Sequence, residues 1–282
     1  MRNEIIGRLI DTALNEDVGD GDHSSLASIP AGSAGSARLI IKGKGIMAGM
    51  EIAGYIFNRV DPGINFIPYI KDGTLINPGD NGFLVTGDQR ELLKAERLVL
   101  NVMQRMSGIA TETGRYVDAV KGTGAIILDT RKTTPGFRFF EKEAVRIGGG
   151  MNHRMGLYDM IMLKDNHIDF AGGIGEAIRK TGEYLKSTGR DLKIEIEARS
   201  IDDVLEIIAA GGVDRIMLDN FNIEDTLKAV KIIGGRFEIE SSGGITLDTI
   251  RSYAECGVDF ISVGALTHHI KSLDMSMKVL KA

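Results

Sequence analysis

Cationic and hydroxyl-bearing residues gather in three short stretches of this 282-residue chain. The first is Leu128-Asp129-Thr130-Arg131-Lys132-Thr133-Thr134-Pro135-Gly136, the second Gly148-Gly149-Gly150-Met151-Asn152-His153-Arg154, and the third Leu163-Lys164-Asp165-Asn166-His167. The planar fork of arginine pairs bidentately with a carboxylate, whereas lysine acts on a phosphate as a point charge. Together they suit a ligand with more than one negative group. Glu197 and Asp219 end two apolar runs, where a carboxylate can bind a metal ion, hold a ribose hydroxyl or cap a neighbouring loop. Ser241-Ser242-Gly243-Gly244 and Ser262-Val263-Gly264 close two others. Backbone N–H groups left unblocked by glycine, with a helix N-terminus behind them, suit a phosphate monoester. A lysine at a strand end can also be a nucleophile. Residue types alone therefore leave open a Schiff-base lyase or aldolase using Lys132 or Lys164, and a non-catalytic anion binder.

The surrounding pattern brings these stretches together. Short apolar runs recur at 126–128, 160–163, 194–197, 216–219, 237–240 and 260–263. Between them lie helical segments whose starts are marked by Ser200, Asn222 and Thr246. Alternating βα units imply parallel strands joined by right-handed crossovers. In a parallel barrel each strand delivers the residues that follow it to one face. The expected fold class is α/β: a C-terminal TIM-like α/β barrel, complete or incomplete, over 113–267, preceded by an N-terminal α+β domain over 1–112. A C-terminal helix over 268–282 is expected to pack back on that first domain. Neither GxGxxG nor GxxxxGK[ST] occurs, which disfavours dinucleotide and P-loop sheets. Within the first domain the spacing predicts a helix over 1–13, an acidic turn over 16–25 and a β-rich unit with one helix near 51–58. A long helix follows from Asp88, with Glu91 as its capping-box partner. Arg97, on that helix, reads as an ordinary surface charge.

A net charge of -5 argues against a broad nucleic-acid-binding face and leaves room for a local basic pocket. The single cysteine, Cys256, rules out an intrachain disulfide and a multi-cysteine metal site, and reads as a buried small hydrophobe. No stretch reaches the roughly 18 apolar residues of a membrane span, and the first residues lack the apolar core of a signal peptide. The expected setting is cytoplasmic, with small molecules rather than nucleic acid or membrane as partners.

The three basic stretches resemble the quinolinate phosphoribosyltransferase family. So do Met217-Leu218-Asp219-Asn220, Ser242-Gly243-Gly244-Ile245 and Gly264-Ala265-Leu266-Thr267. Glu16-Asp17 with Gly21-Asp22, and Glu96-Arg97 with Ser107-Gly108-Ile109-Ala110-Thr111, extend the resemblance to nearly the whole chain. It implies a Mg2+-dependent transfer between quinolinate and phosphoribosyl pyrophosphate, with loss of the 2-carboxylate as CO2. The product is nicotinate mononucleotide, on the route to NAD. The resemblance also implies roles. Arg131, His153, Arg154 and Lys164 would hold the quinolinate carboxylates, and Lys132 the pyrophosphate. Glu197 and Asp219 would serve the ribose hydroxyls and Mg2+, directly or through water. Ser242, Gly243, Gly244 and Gly264 would bind the 5′-phosphate. Lys132, Glu197 and Asp219 are the expected catalytic residues, with no dedicated general base. Members of the family are dimers or assemblies of dimers in which the N-terminal domain covers the neighbour's barrel mouth. Arg97 would thus be supplied across the interface of a homodimer.

Overall fold

The computed structural model describes residues 2–280. In chain order the elements are α1 (Arg2–Val18), α2 (His23–Ser28), β1 (Ala34–Ile41), β2 (Gly45–Ile46), α3 (Met50–Val60), β3 (Asn65–Pro68), β4 (Leu75–Ile76), β5 (Asn81–Asp88) and α4 (Gln89–Ala119). There follow β6 (Ile126–Leu128), α5 (Arg138–Ile147), β7 (Ile161–Leu163), α6 (Asp165–Ala171), α7 (Ile174–Thr188), β8 (Ile194–Ala198), α8 (Ile201–Ala210) and β9 (Arg215–Asp219). The chain ends with α9 (Ile223–Ile233), β10 (Glu238–Ser242), α10 (Ile250–Glu255), β11 (Phe260–Ser262), α11 (Ala265–His268) and β12 (Met275–Val279). Two compact units result. One comprises Met1–Gly114, Thr133–Gly149 and Leu266–Ala282, the other Arg115–Lys132 and Gly150–Ala265.

The first unit is α+β. Its antiparallel sheet runs β12-β1-β5-β3, and α3 buries Ile52, Ala53, Ile56 and Phe57, the spacing of one helical face. Phe57, Phe66 and Phe83 pack with ring centroids 5.0–5.7 Å apart. The acidic turn expected over 16–25 is shorter, because α1 continues to Val18 and Asp22 caps α2 by accepting from Ser25 N–H. Asp88 accepts from the N–H groups of Arg90 and Glu91 at the start of α4. Glu91 does not complete a capping box; its carboxylate lies 2.6 Å from Lys94 Nζ. The helix expected over 268–282 is overturned: α11 stops at His268, and Met275–Val279 pairs antiparallel with β1, from Ile41↔Met275 to Ala37↔Val279. The reason is a period of two. Met275 and Met277 are 3% and 7% exposed, Ser276 is half-buried between them and Lys278 is exposed. Residues 281–282 of that expected helix lie outside the described residues.

Segment Thr133–Gly149, assigned to the barrel by its sequence position, groups with the first unit. Buried Glu141 on α5 explains this: it takes Arg105 Nε at 2.7 Å and the Thr134 N–H at 3.1 Å. Arg105 also donates to Thr134 Oγ1 and Thr267 O, both at 3.0 Å.

The second unit holds a six-stranded, all-parallel sheet in the order β6-β11-β10-β9-β8-β7. Consecutive strands are neighbours except β6 and β7, which lie at opposite ends. That is the order of a barrel cut between its first and second strands. No β6–β7 pairing occurs among the described residues, so the sheet corresponds to the incomplete form of the expected barrel. All five residues of β8 are buried, as they must be in a parallel sheet covered on both faces. Ser200 and Asn222 cap α8 and α9 by accepting from Asp203 N–H and Asp225 N–H, as their spacing predicts. The start expected at Thr246 falls later, at Ile250, because Thr246 and Thr249 first close a turn. Among the described residues, no helix is long and apolar enough to cross a membrane.

Candidate active site

The first two basic stretches are joined through their backbones. Met151 N–H donates to Ile127 O at 2.8 Å, and Asp129 N–H donates to Met151 O at 3.2 Å. His153 N–H then donates to the buried carboxylate of Asp129 at 2.9 Å. Residues 151–153 thus run beside β6 as a short parallel extension, bridged at Leu128, and set Arg154 near Arg131.

Arg154 is 8% exposed and donates through Nη1 to Met160 O at 3.3 Å. Burial, and then the charge of Arg131, push its pKa below the ordinary arginine value. Arg131 Nε is itself buried without a hydrogen-bond partner among the described residues. Two guanidiniums that repel each other, one with an unmet donor, form a place where an anion lowers the energy.

One step earlier along the strands is a buried polar cluster. Glu195 of β8 and Glu240 of β10 are fully buried. His153 Nε2 lies 2.9 Å from Glu195 Oε2 and 3.6 Å from Glu240 Oε2. Its other ring nitrogen, Nδ1, accepts the Arg154 N–H at 2.7 Å, which places the ring proton on Nε2. Arg215 Nη1 is 2.9 Å from Glu240, its Nη2 is 3.1 Å from Glu238, and its guanidinium lies 3.8 Å from the Phe260 ring centroid. Burial, reinforced by Glu195, pushes the Glu240 carboxyl up to about 8, and burial likewise raises Glu195. His153, expected to face a substrate carboxylate, is turned toward these two protein carboxylates.

At the strand ends, Lys164 Nζ lies 2.6 Å from Glu197 Oε1, and Asp165 N–H donates to Glu197 Oε2 at 3.1 Å. Asp219 accepts from Asn220 Nδ2 at 2.9 Å. Burial, followed by the charge of Glu197, holds its carboxyl above the usual range. Two crowded carboxylates with hard oxygen donors fit a divalent cation such as Mg2+, which would relieve that repulsion. Ser242 is in register with Asp219. Gly243 follows at φ +96°, and a Cβ there would fall 2.2 Å from Asn220 Oδ1, so only glycine fits. Asn220 itself has φ 57° and donates its N–H to Ser242 O at 2.8 Å. Gly244, at φ +62°, continues the turn, and half-buried Gly264 follows β11. Lys132 is exposed, with its N–H on Thr130 Oγ1 at 3.0 Å. Arg97 is exposed on α4, in the first unit.

The structure therefore brings Arg131, His153 and Arg154 together, pairs Lys164 with Glu197, and sets Asp219 beside the glycine turn. Residue patterns missed Glu195, Arg215 and Glu240, and gave no role to Asp129 or Asn220. A signal was present in Ile194-Glu195-Ile196-Glu197 and Glu238-Ile239-Glu240. Carboxylates at alternate positions of a strand buried on both sides require an internal polar cluster.

A parallel α/β sheet with paired guanidiniums, crowded carboxylates and a glycine turn at its strand C-terminal ends defines an enzyme acting on anionic, phosphorylated substrates. The chain belongs to the quinolinate phosphoribosyl transferase family, whose N-terminal domain profile matches residues 22–107 and whose C-terminal domain profile matches 109–278. The chloroplastic nicotinate-nucleotide pyrophosphorylase (carboxylating) of Arabidopsis thaliana is 45% identical over 286 residues, spanning 96% of this chain and 82% of that one. The probable nicotinate-nucleotide pyrophosphorylase (carboxylating) of Bacillus subtilis (strain 168) is 42% identical over 272 residues, 96% and 92% of the two chains. Among solved structures, NadC from Streptococcus pyogenes matches with a TM-score of 0.90 at 40% identity, over 96% of each chain.

Proposed function

We infer that this chain transfers the phosphoribosyl group of phosphoribosyl pyrophosphate to quinolinate with decarboxylation, giving nicotinate mononucleotide, pyrophosphate and CO2 in NAD biosynthesis. The observation that carries this reading is the Arg131–Arg154 pair, with its buried, unmet Nε donor. Quinolinate presents two adjacent carboxylates on one ring, and two guanidinium forks can each engage one. Lys164 adds a third cation once a ribose hydroxyl or Mg2+ takes its place on Glu197.

As the bond from the anomeric carbon to pyrophosphate lengthens, the ribose gains oxocarbenium character. The carboxylates of Glu197 and Asp219 offset that positive charge, while Lys132 meets the charge on the departing pyrophosphate. Glu197 and Asp219 would also hold Mg2+, which supplies neutralisation of the leaving phosphates. The pyridine nitrogen attacks with its own lone pair, so no general base is required. The new C–N bond makes the ring a pyridinium, which accepts the electron pair of the breaking C–CO2 bond, and a proton then restores the ring C–H. The turn at 242–244 and Gly264 cradle the 5′-phosphate. Lys164 Nζ is held against Glu197 Oε1 at 2.6 Å, which occupies the amine that the Schiff-base alternative would need. A homodimer in which Arg97 enters the partner's site belongs to the same reading, and the exposure of Arg97 on α4 supports it. So does a cytoplasmic setting, in keeping with a chain of one cysteine.

Calorimetric titration of quinolinate tests the site. Arg131→Ala should weaken binding by about tenfold or more, the worth of a charged hydrogen bond. Unchanged affinity would remove the guanidinium pair from the substrate.

A further inference from the structure

Beside β6 the chain forks, and each branch carries one arginine of the candidate site. In a parallel ladder, alternate residues of one strand donate to and accept from the main chain of its neighbour. Met151 N–H donates to Ile127 O at 2.8 Å and Asp129 N–H donates to Met151 O at 3.2 Å, so the next rung would run from His153 N–H to the Asp129 carbonyl. The Asp129 side chain takes that rung instead, with Oδ1 accepting the His153 N–H at 2.9 Å. A carboxylate oxygen stands farther from its own Cα than the main-chain oxygen does, so the two segments part here and stay joined.

Beyond this rung each branch is turned by side chains. On one, Thr130 Oγ1 accepts the Lys132 N–H at 3.0 Å; on the other, His153 Nδ1 accepts the Arg154 N–H at 2.7 Å. Arg131 follows Asp129 by two residues, and Arg154 follows His153 directly. Asp129 is fully buried, so water does not compete for the bond that holds the fork.

We propose that Asp129 is a positioning residue that sets the spacing of the Arg131 and Arg154 guanidiniums, and so makes the site prefer two adjacent carboxylates on one ring to a single one. This rests on the assignment of both arginines to quinolinate made above. Two like charges side by side move apart unless the backbone restrains them, and the charge of Arg131 is felt at Arg154. A dicarboxylate gains its second guanidinium fork in full only at the right separation, because drawing back a misplaced fork subtracts from affinity. A monocarboxylate needs one fork alone. The effect is therefore on selectivity, whereas a loss of general packing would weaken both ligands alike.

The test titrates the full chain calorimetrically with quinolinate, a pyridine-2,3-dicarboxylate, and with pyridine-3-carboxylate in competition against it. Asp129→Ala should lower the ratio of the two affinities about tenfold or more, the worth of a charged hydrogen bond, while the monocarboxylate changes by less than about threefold. Asp129→Asn keeps an acceptor oxygen for the His153 N–H and should retain most of the wild-type ratio; it carries the test if Asp129→Ala does not fold. Amide hydrogen exchange of the wild-type protein should show the His153 N–H protected. The proposal is overturned by an unchanged ratio in folded Asp129→Ala, by an equal loss for both ligands, by a tenfold fall of the ratio in Asp129→Asn, or by rapid exchange at His153. A wild-type chain with no preference for the dicarboxylate would instead remove the two-arginine reading itself, and the exchange result would still report on the Asp129 bond.

Discussion

Arg154 is nearly buried, carries a full charge, and has another guanidinium for a neighbour. A side chain in that position is unfavourable unless an anion arrives, and that is the physical content of a carboxylate site. Arg154→Ala should leave a substrate carboxylate unpaired at a cost of about 3–5 kcal/mol, or roughly two to four decades in kcat/KM, measured by steady-state turnover of quinolinate. The positions of Arg131 and Lys164 were legible from residue type and from their place after apolar runs, and that of Arg154 from its glycine-bearing loop just before the second run. Glu195 and Glu240 were not. An Ile-Glu alternation also describes a strand with one wet face, and nothing local says that β8 is covered on both.

At the scale of elements, the glycine turn after β10 makes a sharp prediction. Gly243 adopts a conformation that strains other residues by about 1–3 kcal/mol, and Asn220 occupies the space of any Cβ. Gly243→Ala should raise the KM for phosphoribosyl pyrophosphate about tenfold or more. Calorimetric titration should meanwhile show quinolinate affinity little changed, and equal weakening for both substrates would place the turn elsewhere in the mechanism. The six parallel strands could be read in advance because each is a short apolar run closed by a turn. The last strand could not. Met275 and Met277 take their meaning from β1, far earlier in the chain, and a run rich in methionine, leucine and lysine suits a helix until that partner is present.

For the whole molecule, the long-range pairings that sequence hides also decide which segments group together. The boundary expected at 112 lies close to Gly114, but Thr133–Gly149 joins the first unit because Glu141 pairs with Arg105. The buried acid cluster gives the folded state its own pH dependence. Glu240 is raised from an ordinary 4.5 to about 8, so between those values the folded protein keeps a proton that the unfolded chain has released. The contribution of this group to stability is therefore full below about 4.5 and is lost as pH rises through about 8. Thermal unfolding followed across that window should show Tm falling with pH, with a shallower fall in Glu240→Gln. An identical slope in the variant would assign the dependence to other groups.

The central claim, that paired guanidiniums hold a dicarboxylate beside an activated sugar, meets its most direct test in a single coupled assay. The chain is incubated with Mg2+, phosphoribosyl pyrophosphate and quinolinate labelled with carbon-13 in its 2-carboxylate, and labelled CO2, pyrophosphate and nicotinate mononucleotide are measured together. Equal amounts of all three are expected. Release of pyrophosphate without labelled CO2, or no nicotinate mononucleotide from folded protein, would contradict the account.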